Sequence, residues 1–209
     1  MIFCDHTPIE IYELHKRHVY VKRDDLFGVS PASPLGKLRG LKALLRSYEA
    51  SGVQLLGCWD TRVSRLGEGL AAACSQAELR AVVCFPTRPD GSVPPSVQRA
   101  QQLGARIHGI RGNHVSICHA QSRRFVESLG GMMLPFGMEC IESVDAVAKE
   151  AARVPAELCS GTVILCCGSG VTISGLLKGF RVDRSFLLRH GIQEYLFVRD
   201  DEEDETRAI

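Results

Sequence analysis

Lys37 lies in the stretch "SPLGKLRGLKALL" (33–45), between a Pro/Gly turn and the start of an amphipathic helix. A cation at a helix start opposes the helix dipole, which favours negative charge there. The position suits an amine engaged in covalent chemistry, or a side chain that simply points into water. A second stretch with chemical content is "CCGSGVTISGLLKGF" (166–180). Gly168 and Gly170 allow a tight turn and close approach to a ligand, while Ser169 and Thr172 offer hydroxyls. The amides at the start of the following helix, from Val171 onward, then face a negative group that the dipole favours. The run has neither the Gly-Lys-Ser/Thr of a Walker loop nor a full G-x-G-x-x-G. A plain strand-to-helix turn is the alternative. A phosphate cradle together with a lysine at a helix start is what pyridoxal phosphate needs, because the lysine amine can form a Schiff base with the aldehyde.

Other reactive residues carry less. Nine cysteines are scattered without a framework, so they are expected to be reduced and the compartment cytoplasmic. His114 and Cys118 share a helix face, and Cys4-Asp5-His6 and His15/His18 are close in sequence. None has the paired spacing of a structural zinc site, so no metal is expected. The chain has 209 residues and a net charge of +1, which gives no reason to expect nucleic acid as a partner. No run is apolar enough to cross a membrane, and "MIFCDHTPIE" lacks the regions of a signal peptide.

The elements that must position these residues follow from periodicity. Runs at 18–23, 53–57, 80–85, 105–110 and 162–167 read as strands, and 36–50, 64–75, 94–103, 114–129 and 141–153 as helices. This alternation implies an α/β fold with a mostly parallel sheet of βαβ units. The Pro/Gly-rich loop "PTRPDGSVPP" (86–95) then lies at a carboxyl end of the sheet, where α/β ligand crevices open. The last nine residues are strongly acidic and expected to be disordered.

Taken in order, these segments resemble the fold-type II pyridoxal-phosphate enzymes, in particular the branch of 1-aminocyclopropane-1-carboxylate deaminase and D-cysteine desulfhydrase. "TPIEIYEL" (7–14) is similar to the opening segment of that branch, and "VYVKRDDLFG" (19–28) to its Tyr-x-Lys-Arg-Asp/Glu-Asp motif. "PLGKLRGLKALL" (34–45) places Lys37 on the Schiff-base lysine and Arg39 on the family arginine. "LPFGMEC" (134–140) resembles a Pro-x-Gly segment, and 166–180 matches the phosphate loop.

The resemblance implies a tryptophan-synthase-beta-like, two-lobed parallel-sheet architecture that is C-terminally truncated. In it, 1–180 form a pyridoxal-phosphate-binding domain. Residues 51–134 would be a smaller inserted lobe, 1–50 and 135–180 the larger lobe, and 181–209 a divergent tail with an acidic end. Lys37 and Thr61 would be catalytic. Lys37, Arg62, Gly168, Ser169, Gly170, Val171 and Thr172 would bind the cofactor, pyridoxal 5'-phosphate. The implied reaction is a lyase or deaminase step on a small amino acid, giving an α-keto acid and ammonia. The alternative is a non-catalytic binding or regulatory subunit. A homo-oligomer or a partner subunit is expected to cover the sheet left open by the short ending.

Departures stand beside this resemblance: Gly36 precedes Lys37 where the family has asparagine, 181–209 do not resemble the family's longer ending, and one loop is altered. The family reads Gly-Gly-x-Gln-Ser-Asn-x-Thr-Arg where this chain has Gly57-Cys58-Trp59-Asp60-Thr61-Arg62-Val63-Ser64-Arg65. Thr61 keeps a hydroxyl at the family's serine, and Arg65 keeps its arginine. Arg62 puts a cation in place of an asparagine and so favours a carboxylate or phosphate nearby.

Overall fold

The computed structural model describes residues 6–27, 36, 38–112, 114–158, 163–166, 170–180, 184–189 and 194–199. The chain divides into two compact units, Met1–Met138 and Glu139–Ile209.

The first unit is built on four parallel strands in the order β5-β4-β3-β6. These are β3 (Leu55–Trp59), β4 (Arg80–Thr87), β5 (Arg106–Arg111) and the short β6 (Met132–Met133). β3, "LLGCW", is buried along its whole length, as befits a parallel strand covered on both faces. Strand alternation assigns each face its cover. Leu55 and Trp59 of β3, Val82 and Cys84 of β4 and Ile110 of β5 form one core with Cys118 and Val126 of α4 (Val115–Ser128). Gly57 lies on that face, and a Cβ there would sit 2.3 Å from Val126 Cγ2, so only glycine lets this helix approach so closely. Val83, on the opposite face, meets Gly67 of α2 (Leu66–Gln76). α3 (Pro95–Gln102) packs beside α2, and proline at its first position suits a helix start.

α1 (Leu38–Ala50) carries the stripe Leu38, Leu41, Leu44 and Leu45, all buried. Each such leucine contributes about 1.5–3 kcal/mol relative to exposure. Leu38 lies against the α2 backbone, where a Cβ at Gly69 would come within 2.6 Å of its Cδ1. The residue after Lys37 is thereby fixed in the core.

The strand expected at 18–23 is not part of the parallel sheet. It is β2 (Arg17–Lys22), and it pairs antiparallel with β1 (Ile9–Leu14) in a two-stranded hairpin. The turn residues His15 (φ 49°) and Lys16 (φ 62°) both adopt the left-handed conformation. That is the backbone required by a two-residue hairpin turn whose twist matches its strands.

The second unit contains α5 (Ile141–Ala151) and α6 (Val171–Phe180), packed closely against each other. Close approach is again made by small residues: a Cβ at Gly179 would lie 2.4 Å from the Ala148 carbonyl oxygen. The strand expected at 162–167 is β7 (Val163–Cys166), but it is not a parallel strand. It pairs antiparallel with β9 (Glu194–Arg199), which pairs antiparallel with β8 (Arg184–Arg189). The tail beyond residue 180 thus supplies two strands. The acidic residues 201–209 lie outside the described residues.

Candidate active site

The start of α1 is held by residues far apart in sequence. Arg39 is buried, and its Nη2 donates to Asp24 Oδ1 at 2.7 Å and to Thr7 Oγ1 at 2.9 Å. Thr7 Oγ1 also donates to Asp24 Oδ1, at 2.9 Å. Lys22 Nζ donates to the same hydroxyl at 2.8 Å and to the Thr7 carbonyl. The Arg39 guanidinium lies 4.1 Å from the centre of the Phe27 ring, a cation–π contact. The backbone N–H of Arg39 donates to the Gly36 carbonyl at 3.1 Å, and a Cβ on Gly36 would lie 3.1 Å from Asp24 Oδ2. Thr7, Lys22, Asp24 and Arg39, from three separate motifs, thus form one polar cluster that fixes the chain at Gly36 and Leu38. Lys37 itself lies outside the described residues.

The second feature is the loop from Asp60 to Arg65, at the carboxyl end of β3. Here the chain satisfies its own helix start. Asp60 has no solvent exposure; its Oδ2 accepts the Gly67 N–H at 2.9 Å, and among the described residues no group hydrogen-bonds its Oδ1. Thr61 Oγ1 accepts from the Ser64 N–H at 3.2 Å, and Ser64 Oγ from the Leu66 N–H at 3.2 Å. Burial pushes the Asp60 carboxyl above the usual range, only partly offset by the Ser64 hydroxyl and the Gly67, Leu66 and Thr61 amides. One turn further, Glu68 is completely buried and pairs with Arg65 (3.1 Å) and with Arg99 of α3 (3.0 Å). A buried carboxylate in the first turn also suits the helix dipole.

Arg62 reaches away from this loop to the one after β4. Its Nη1 donates to the Ser92 carbonyl at 3.1 Å and to the Pro86 carbonyl at 3.5 Å, and its Nη2 to Ser92 Oγ at 3.0 Å. The two loops are tied together across the carboxyl edge of the sheet, where open α/β sheets bind ligands. Ser92 N–H in turn donates to Asp90 Oδ1 at 2.9 Å. That bond, the Ser92 hydroxyl and the charges of Arg88 and Arg62 hold the Asp90 carboxyl below its usual range.

Of the phosphate loop, Gly168 and Ser169 lie outside the described residues. Gly170 has a φ of 83°, and its carbonyl accepts from the Ser174 N–H at 2.9 Å, making it the cap of α6. The amides of Val171, Thr172 and Ile173 therefore have no partner within the helix. Among the described residues, a Cβ at Gly170 would meet nothing within 4 Å. A helix start with unpaired amides fits a phosphate group.

Nucleophilic cysteine chemistry finds no support in the buried thiols. Burial pushes Cys74 up to about 12 and Cys84 up to about 11, and raises Cys58 further from reactivity. His114 Nδ1 is 3.0 Å from Ser116 Oγ at the start of α4, while Cys118 is buried in the core. Among the described residues no three His, Cys, Asp or Glu side chains gather to hold a metal ion, and no helix is long and apolar enough to cross a membrane.

Reading the sequence singled out Thr61 and Arg62 but not the burial of Asp60, nor the Glu68–Arg65–Arg99 cluster. An acid one turn into a predicted helix and three residues from an arginine was the available signal for Glu68.

No family profile matches this sequence. The chain is 33% identical over 196 residues to the glycyl-dTMP PLP-dependent decarboxylase of Pseudomonas phage M6, covering 90% of this chain and 69% of that protein. A match of that extent runs past residue 180, into the tail. Among solved structures, an ACC deaminase homologue superposes with a TM-score of 0.70 at 21% identity, over 83% of this chain and 56% of its own. The fungal L-serine ammonia-lyase of Rhizomucor miehei gives 0.66 at 15% identity, over 84% and 55%. A hydrogen sulfide-producing enzyme from Fusobacterium nucleatum gives 0.65 at 17% identity, over 84% and 58%. The chain spans a little over half the length of these solved structures. The fold is the α/β, tryptophan-synthase-beta-like one, and the chain belongs to the fold-type II pyridoxal-phosphate-dependent enzymes.

Proposed function

We propose that this chain, alone or within a longer protein, catalyses pyridoxal-phosphate-dependent decarboxylation of an amino-acid group borne on a nucleotide. The observation that carries this reading is the 33% identity to the phage decarboxylase, whose name gives it a glycyl-dTMP substrate. The buried carboxylate of Asp60 supports it. A second carboxylate brought to the start of α2 would be repelled there and would find the Gly67 and Leu66 amides already engaged.

Pyridoxal phosphate, when bound, supplies an electron sink for the pair left when a bond to the α-carbon breaks. Lys37 would hold the cofactor through its amine and, once released by the substrate amine, move a proton at the α-carbon. The Thr7–Lys22–Asp24–Arg39 cluster fixes the backbone on either side of it. Gly168, Ser169, Gly170, Val171 and Thr172 would hold the phosphate with backbone amides and hydroxyls. Thr61 would orient the substrate near the sheet edge.

The second reading is the lyase or deaminase on a small amino acid. It is favoured by the run of motifs ending in Lys37 and Arg39 that resembles the deaminase branch. Product analysis separates the two. The full chain is incubated with the cofactor and either a glycyl-modified thymidine nucleotide or a small amino acid. Carbon dioxide without ammonia is expected from the nucleotide. Ammonia and an α-keto acid from the amino acid would establish the second reading, and no turnover of either would favour a binding subunit. The exposed Ile11, Tyr12, Leu14, Val19 and Tyr20 of the hairpin suit burial in a homo-oligomer or against a partner subunit, which light scattering checks.

A further inference from the structure

Arg62 differs from Arg23, Arg39, Arg65 and Arg99. Arg39 pairs with Asp24 at 2.7 Å, Arg65 and Arg99 share Glu68 at 3.1 and 3.0 Å, and Arg23 bridges Glu10 and Asp25 at 2.5 and 2.8 Å. Arg62 is half-buried, yet its hydrogen bonds go only to neutral acceptors: the Ser92 carbonyl, the Ser92 hydroxyl and the Pro86 carbonyl. No carboxylate among the described residues forms an ion pair with it. Asp90, whose carboxyl feels the Arg62 charge, is exposed and is engaged by the Ser92 N–H. A guanidinium kept partly out of water by neutral oxygens retains an unmet demand for an anion.

The surroundings decide which anion. The amides at the start of α2 that could seat a carboxylate are spent on Asp60 and Ser64, and the Asp60 carboxylate repels another anion there. Arg62 instead stands at the junction of the loops after β3 and β4, with Arg88 also acting on Asp90 from the second loop. Two cationic side chains at one loop junction suit a phosphate, which offers several acceptor oxygens and more than one charge. The near-neutral charge of the whole chain argues against a surface that tracks long nucleic acid, but one nucleotide phosphate needs only one or two contacts.

We propose that Arg62 is the specificity-determining residue that binds a phosphate carried by the substrate, with Arg88 beside it. This rests on the nucleotide-borne reading given above and assigns Arg62 to the substrate, not to the cofactor. The test is calorimetric titration of the full chain with dTMP and with thymidine, with and without pyridoxal phosphate, and visible absorbance for cofactor loading. The wild type is expected to prefer dTMP over thymidine by about tenfold or more, and Arg62→Gln to abolish that preference. Arg62→Lys keeps the charge and should retain part of it. Asp90→Asn, in an exposed loop, keeps an acceptor for the Ser92 N–H and removes the competing charge, so it should tighten dTMP about threefold and leave thymidine unchanged. An unchanged preference in Arg62→Gln would overturn the proposal, as would loss of cofactor with dTMP binding retained. Should Arg62→Gln fail to fold, unchanged or weaker dTMP binding by Asp90→Asn overturns it equally. A wild type that never loads the cofactor would instead count against the enzymatic reading.

Discussion

Arg39 and Arg62 show two uses of one side chain. Arg39 is closed in: Asp24, Thr7 and the Phe27 ring surround it, and together they hold the start of α1. Arg62 ties two loops at the sheet edge through neutral oxygens and leaves its charge uncancelled. The first arrangement places a backbone; the second presents a charge. A matched pair serves structure, whereas an unmatched cation at the carboxyl edge of a parallel sheet points toward a ligand.

The largest effect should come from breaking the first arrangement. Asp24→Ala strands a guanidinium whose side chain is 4% exposed, and losing one partner of a buried pair costs about 3–5 kcal/mol. Asp24 is itself 42% exposed, so water can reach the gap and about 3 kcal/mol is the expected loss. Urea unfolding measures it, and a loss below about 1 kcal/mol would remove the contrast with Arg62. Arg62→Gln should be milder, on the order of 1 kcal/mol, because it gives up neutral hydrogen bonds and strands no charge. A loss as large as that for Asp24→Ala would make Arg62 a structural residue as well.

The smallest effect concerns pH. Burial raises the Asp60 carboxyl in the folded state, so the native chain takes up this proton before the unfolded chain does as pH falls. Stability from this group therefore increases on acidification, from its raised pKa down toward the ordinary carboxylate value near about 4. Asp60→Asn should remove that gain and, at neutral pH, raise the urea midpoint slightly. Urea midpoints of both proteins between neutral and mildly acidic pH check the sign. A wild type that loses, relative to Asp60→Asn, as pH falls would reverse it.

Much of the fold was legible because its signals are local. β3 and β4 are built on continuous apolar runs, and α1 repeats leucine at helical spacing. The hairpin escaped because its turn is His15-Lys16, with neither Gly nor Asn to signal positive φ. The antiparallel pairing of β7 escaped because it depends on β9, about 30 residues later, and strand direction is not written in either strand. At the site, Thr7, Lys22, Asp24 and Arg39 were visible as separate motifs, but their joining in one cluster is a tertiary fact. Asp60 was visible only as a departure from the family pattern. That it is a buried, half-satisfied carboxylate emerges only once Gly67 is folded against it.

The most direct measurement is cofactor trapping. The purified chain is titrated with pyridoxal phosphate, followed by visible absorbance, reduced with borohydride and digested for mass spectrometry. A saturable visible band is expected, with a single modified residue, Lys37, whose neighbours Gly36 and Leu38 the Asp24–Arg39 cluster and the α2 backbone hold in place. No visible band, or modification at Lys42 in place of Lys37, would contradict the assignment of this chain's chemistry to the start of α1.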